Sequence, residues 1–82
     1  MAGTLHTTPY RKMLDLLIAH RHAAGLSQAK LAHRLGKPPS YIAKTELGER
    51  RLDLIETLRI YDALGRSLAD DLDQLQALSV VI

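Results

Sequence analysis

The sequence predicts a small all-α domain, and three observations carry that expectation. The chain has 82 residues, 46% of them hydrophobic, which suffices for one core and is too short for two. Its aliphatic residues are dominated by leucine and alanine, and three tyrosines are the only aromatics, a composition suited to helix packing rather than a sheet. Apolar residues also recur at helical spacing in separate runs, each opened by a capping residue or closed by a glycine.

Residues 1–7 show no periodicity and are expected to form a loose arm. Thr8-Pro9 reads as an N-cap followed by proline in the first helical position, after which Tyr10, Met13, Leu14, Leu17 and Ile18 fall at i, i+3, i+4, i+7 and i+8. Ala23-Ala24-Gly25 ends that helix. Ser27 caps a second, with Leu31 and Leu35 as its ridge and Ala32 small enough for another helix to cross closely. Gly36 stops it in the left-handed conformation. Pro38 then stands at the next N-cap and Pro39 begins a third helix, through Ser40, Tyr41, Ile42, Ala43, Lys44, Thr45 and Glu46, with an exit at Leu47-Gly48.

After the polar loop Glu49-Arg50-Arg51-Leu52, Asp53 and Glu56 form a capping box. Leu54, Ile55, Leu58, Tyr61 and Leu64 are expected to supply the apolar side of a fourth helix, which Gly65 closes. Ser67 caps a fifth, with Asp70 in its first turn and Leu68, Leu72 and Leu75 as its stripe. The domain should span residues 8–77. Residues 78–82 form an apolar tail whose Leu78, Val80, Val81 and Ile82 need cover, either from the same domain or from a second copy.

Two charges fall where the pattern points inward. Arg21 continues the first helix's stripe, and Glu46 follows inward-facing Ile42 by four residues. Pairing Arg21 with Glu46 resolves both, because an unpaired charge at a dry site costs roughly 3–5 kcal/mol. The alternative is two charges at a solvated rim, where a pair contributes little.

The net charge of +2 hides an asymmetry. Residues 27–51 carry six cations, Lys30, Arg34, Lys37, Lys44, Arg50 and Arg51, against Glu46 and Glu49, whereas residues 52–82 set two arginines against six aspartates and glutamates. One end suits a polyanion and the other is repelled by phosphate. There is no cysteine, so disulfides and thiolate metal sites are excluded. His6, His20, His22 and His33 do not form a convincing metal site, and no nucleophile elbow, phosphate loop or paired-carboxylate cleft is present. The expectation is a non-enzyme without cofactor, metal, small-molecule ligand or membrane partner. With no signal-like start and no apolar run near the roughly 20 residues that span a bilayer, a cytoplasmic, nucleoid-associated location is expected.

The segment from Gly25-Leu26-Ser27-Gln28 to Gly48-Glu49-Arg50-Arg51 resembles the Cro/C1-type (XRE) helix-turn-helix family, and the likeness runs from about Tyr10 to Leu72, including the "ETLRIYDALG" helix. The resemblance implies a five-helix, lambda-repressor-like domain with the motif at helices two and three, and double-stranded DNA as partner. It also supports the Arg21–Glu46 pairing, since the family commonly has arginine and glutamate at these places. In the major groove only outward side chains meet base edges, so Pro39, Ser40, Ala43 and Lys44 are the expected readers, with Lys44 foremost. Gln28, Lys37, Tyr41, Arg50 and Arg51 are expected to touch phosphate. Pro38 and Pro39 depart from the family's polar residues, implying sparse readout, and Thr45 replaces a customary aliphatic. The implied function is a transcriptional regulator, a repressor binding an inverted repeat as a homodimer. The alternatives are an antitoxin that regulates its own operon and holds a basic toxin, and a protein-interaction module that has lost DNA binding.

Overall fold

The structure, a computed structural model, describes residues 8–80, with side chains through Ala77. The arm at 1–7 and the tail side chains Leu78, Val80, Val81 and Ile82 lie outside the described parts. Five helices follow in order: α1 (Pro9–Ala23), α2 (Gln28–Arg34), α3 (Ser40–Leu47), α4 (Leu54–Ala63) and α5 (Ala69–Val80). There is no strand among the described residues.

Local chemistry sets the starts. Thr8 Oγ1 accepts from Arg11 N at 3.1 Å, and Ser27 Oγ accepts from Lys30 N at 3.1 Å. The Asp53 and Glu56 box closes both ways, with Glu56 N donating to Asp53 at 2.7 Å and Asp53 N to Glu56 at 3.0 Å. α3 differs slightly from expectation. Pro39 holds helical angles (φ −55°, ψ −31°) but occupies the cap position, Ser40 begins the helix, and no side chain caps it. In the turn before it, Gly36 N donates to His33 O and Lys37 N to Ala32 O, both at 3.0 Å, with Gly36 at φ +68°. A Cβ there would meet nothing within 4 Å, so Gly36→Ala carries only the conformational penalty of about 1–2 kcal/mol. Thermal unfolding should then occur roughly 4–16 °C lower; an unchanged melting temperature would show that the turn relaxes.

Leu14 and Leu17 of α1, Leu31 and Ala32 of α2, Ile42 of α3, and Ile60, Tyr61 and Leu64 at α4 form the core. α2 and α3 pack closely, and α1 packs against both α3 and α5. Ala32 is fully buried at their crossing, where no longer side chain fits without strain.

The last two helices keep only part of the expected stripes: Tyr61 and Leu64 are buried, and Leu68 and Leu75 half-buried, as expected. On α4 the buried set is Thr57, Ile60 and Tyr61, while Leu54, Ile55 and Leu58 are 64%, 57% and 42% exposed. Thr57 tolerates burial because its hydroxyl donates to Asp53 O at 2.8 Å. On α5, Asp71 takes the core position expected of Leu72, which is 42% exposed. Ser67 caps α5 weakly, accepting from Ala69 N at 3.3 Å.

Candidate nucleic-acid interface

Eight residues make α3, and its two faces are chemically distinct. Ile42 and Thr45 point inward, at 1% and 2% exposure. Thr45 fits where an aliphatic is customary because its hydroxyl donates to Tyr41 O at 2.8 Å, and the void beside it is only about 10 Å³. Outside, Pro39, Ser40, Lys44 and Leu47 are exposed and Ala43 is half-buried. Ser40 and Lys44 stand one turn apart on the same side.

Glu46 locks this helix to its neighbours. Arg21 grips the carboxylate with two nitrogens, Nε to Oε2 at 2.7 Å and Nη2 to Oε1 at 3.0 Å, while Arg21 Nη1 donates to Leu26 O at 2.9 Å. Arg21 is 7% exposed, so the pair is desolvated as well as forked. Gln28 Nε2 donates to the same Oε1 at 2.8 Å, tying the start of α2 into the network. Both Arg11 terminal nitrogens donate to the Glu46 backbone oxygen at 3.2 Å, placing a cation at the C-terminal end of α3. Arg11 lies off the apolar stripe of α1, and nothing in its spacing marks this role.

The residues expected at phosphate divide into two groups. Lys37 is exposed in the turn, its ammonium 5.5 Å from the Tyr41 ring centre. Arg51 is exposed beyond α3, with its guanidinium 4.3 Å over the Tyr10 ring. Tyr41 and Arg50 instead turn toward Glu56: the Tyr41 hydroxyl donates at 3.3 Å, and Arg50 forms an ion pair with the same oxygen. Arg50 also lies 4.3 Å over the Tyr41 ring, and its Nη1 is buried without an acceptor. The Arg50 guanidinium, with help from the Asp53 N–H, holds the Glu56 carboxyl below its ordinary range. Burial foremost pushes the Tyr41 phenol up. Glu56 thus joins the cap of α4 to the flank of α3, and Arg50 would have to leave it to meet phosphate.

A second polar cluster sits behind α3, at the contact of α1 with α5. Tyr61 Oη donates to Asp71 Oδ2 at 2.6 Å, His20 Nε2 lies 2.8 Å from that oxygen, and the His20 and Tyr61 rings meet edge to face at 5.8 Å. Sequence spacing missed it because Asp71 reads as one of several first-turn carboxylates. Among the described residues no group of three or more His, Cys, Asp or Glu side chains is placed to hold a metal ion. No helix there is long and apolar enough to cross a membrane.

Comparison with known proteins agrees with this arrangement. Residues 13–75 match a family described as a helix-turn-helix domain. A solved structure of an XRE-family like protein from Pseudomonas syringae pv. tomato str. DC3000 is similar at 43% identity, covering 94% of each chain with a TM-score of 0.81. No curated protein matches. The match across most of the chain and the shared five-helix architecture place this protein in the XRE-type helix-turn-helix family of DNA-binding regulators.

Proposed function

We propose that the protein is a sequence-specific transcriptional repressor that binds an inverted repeat of double-stranded DNA as a homodimer, acting at the cytoplasmic nucleoid. The observation that carries this reading is the outward face of α3, where exposed Ser40 and Lys44 stand on a helix whose inner side is fixed by Ile42, Thr45 and Glu46. With α3 in the major groove, the Lys44 ammonium donates to guanine O6 and N7 and the Ser40 hydroxyl bonds a neighbouring base. Pro39 and Ala43 offer only apolar contact, which suits a thymine methyl. Lys37 and Arg51 supply sequence-independent phosphate contacts, and Gln28 retains a second amide N–H for that purpose. Two such units about a two-fold axis read half-sites about one helical turn, roughly 34 Å, apart.

Selection from random DNA yields the preferred site, and two variants then test the roles. Lys44→Ala is expected to weaken that site by about 1–3 kcal/mol, roughly 5–150-fold, with little effect on random DNA. Arg51→Ala is expected to weaken both alike and to reduce the salt slope by about one. Equal loss on both DNAs for Lys44→Ala would remove it from direct readout. A second reading, an antitoxin holding a basic toxin, draws on exposed Leu72 between exposed Asp70 and Asp73 on α5. Co-purification with a small basic protein would favour it.

A further inference from the structure

α4 carries two stripes at the same helical spacing. Thr57, Ile60, Tyr61 and Leu64 face the core. On the opposite side Ile55, Leu58, Arg59 and Asp62 fall at i, i+3, i+4 and i+7, and all four are exposed. With Leu35, the C-cap of α2, they line an open groove of about 730 Å³, and exposed Leu54 borders the stripe. Three large apolar side chains within two turns of a helix form the kind of patch that soluble proteins use for contacts.

We propose that this outer face of α4 joins two copies of the chain, packed antiparallel about a two-fold axis near Leu58. The stripe carries its own complement. Arg59 and Asp62 have opposite charge, lie on one face, and make no ion pair with another described residue. In the antiparallel arrangement the Arg59 of each copy comes within about five residues, roughly 7.5 Å along the axis, of Asp62 in the other, a span an arginine side chain reaches. An isologous contact uses that pair twice, with Ile55 and Leu58 desolvated between. A stable interface needs about 800 Å² per partner, more than three side chains supply, so the dimer is weak alone and is reinforced when both half-sites are occupied. The proposal rests on the two-fold DNA reading above and places the contact on α4 rather than at the C-terminal tail.

Sedimentation equilibrium of the full chain, with circular dichroism as the folding control, tests it. Ile55→Glu, Arg59→Asp and Asp62→Arg are each expected to raise the dimer dissociation constant more than about 30-fold. Arg59→Asp combined with Asp62→Arg restores opposite charges and should recover most of the loss. A monomeric wild type, dimers indifferent to Ile55→Glu, or a double variant no better than the singles would overturn the proposal. Affinity for a single half-site, measured alongside, separates the two readings. Retained half-site binding by Ile55→Glu with loss of the dimer supports both. If dimerisation responds as expected but no variant or wild type binds DNA, the DNA reading fails and the α4 contact stands.

Discussion

Glu46→Ala is expected to lower the folding free energy by about 3–5 kcal/mol, read from the urea midpoint at constant slope. The substitution removes the acceptor of two Arg21 nitrogens and of the Gln28 amide at once, and leaves Arg21, 7% exposed, with two neutral partners, Leu26 O and the His22 ring nitrogen. Domains of this size have roughly 5–15 kcal/mol in total, so the variant would lie near its unfolding threshold at ambient temperature. The size of the effect reflects the stranded cation rather than the net worth of the pair. Replacing both partners with apolar residues, Arg21→Met with Glu46→Leu, should therefore recover most of the loss. Glu46→Gln should fall between, since its carbonyl still accepts from one donor. A loss below about 1 kcal/mol for Glu46→Ala would assign the pair to a solvated rim. Because Glu46 fixes α3 on α1 and α2, DNA affinity should fall only as the folded fraction falls, unlike the specific loss expected of Lys44→Ala.

The same carboxylate shows what could be read before the structure. Its inward direction followed from Ile42 four residues earlier, and Arg21 followed from the stripe of α1, so a polar contact between distant segments was legible from two periodicities. Caps and stops were legible for a similar reason: Thr8, Ser27, Asp53 and Gly36 act on atoms within five residues. The first half of the α4 stripe was not legible. Leu54, Ile55 and Leu58 lead into Tyr61 and Leu64 as plausibly as the true set does, and only the tertiary arrangement puts Thr57 and Ile60 inside with Tyr61 and Leu64. The partners of Arg50 in the free chain were not legible, because charge alone does not reveal that Glu56 and the Tyr41 ring lie within its reach. Arg11 at the C-terminal end of α3 depends on how α1 crosses α3, which no local pattern encodes.

Asp71→Ala is expected to cost about 2–3 kcal/mol, since the Tyr61 hydroxyl, on a residue 1% exposed, loses a charged acceptor at 2.6 Å and His20 loses one at 2.8 Å. The penalty should depend on pH in a defined sense. Burial foremost would raise the Asp71 carboxyl, but hydrogen bonds with Tyr61 and His20, together with the charges of His20 and Arg66, outweigh it and hold the group below its ordinary value. A carboxyl lowered in the folded state contributes stability that is complete above its unfolded value, about 3.9, and is lost as pH falls through the folded value. The difference between wild type and Asp71→Ala should therefore be constant near neutrality and shrink below about pH 4. Tyr61 acts in the opposite direction. Burial, then the Asp71 contact, keeps its phenol protonated in the folded protein, so wild-type stability should fall above about pH 10, where the unfolded phenol ionises. A gap between the two proteins that persists unchanged to about pH 2 would refute the carboxylate's role. Because the cluster joins α1 to α5 and not to α3, hydrogen exchange in Asp71→Ala should rise first across Ala69–Val80, with α2 and α3 still protected. Uniform loss of protection would mean instead that α5 is required for the whole core to form.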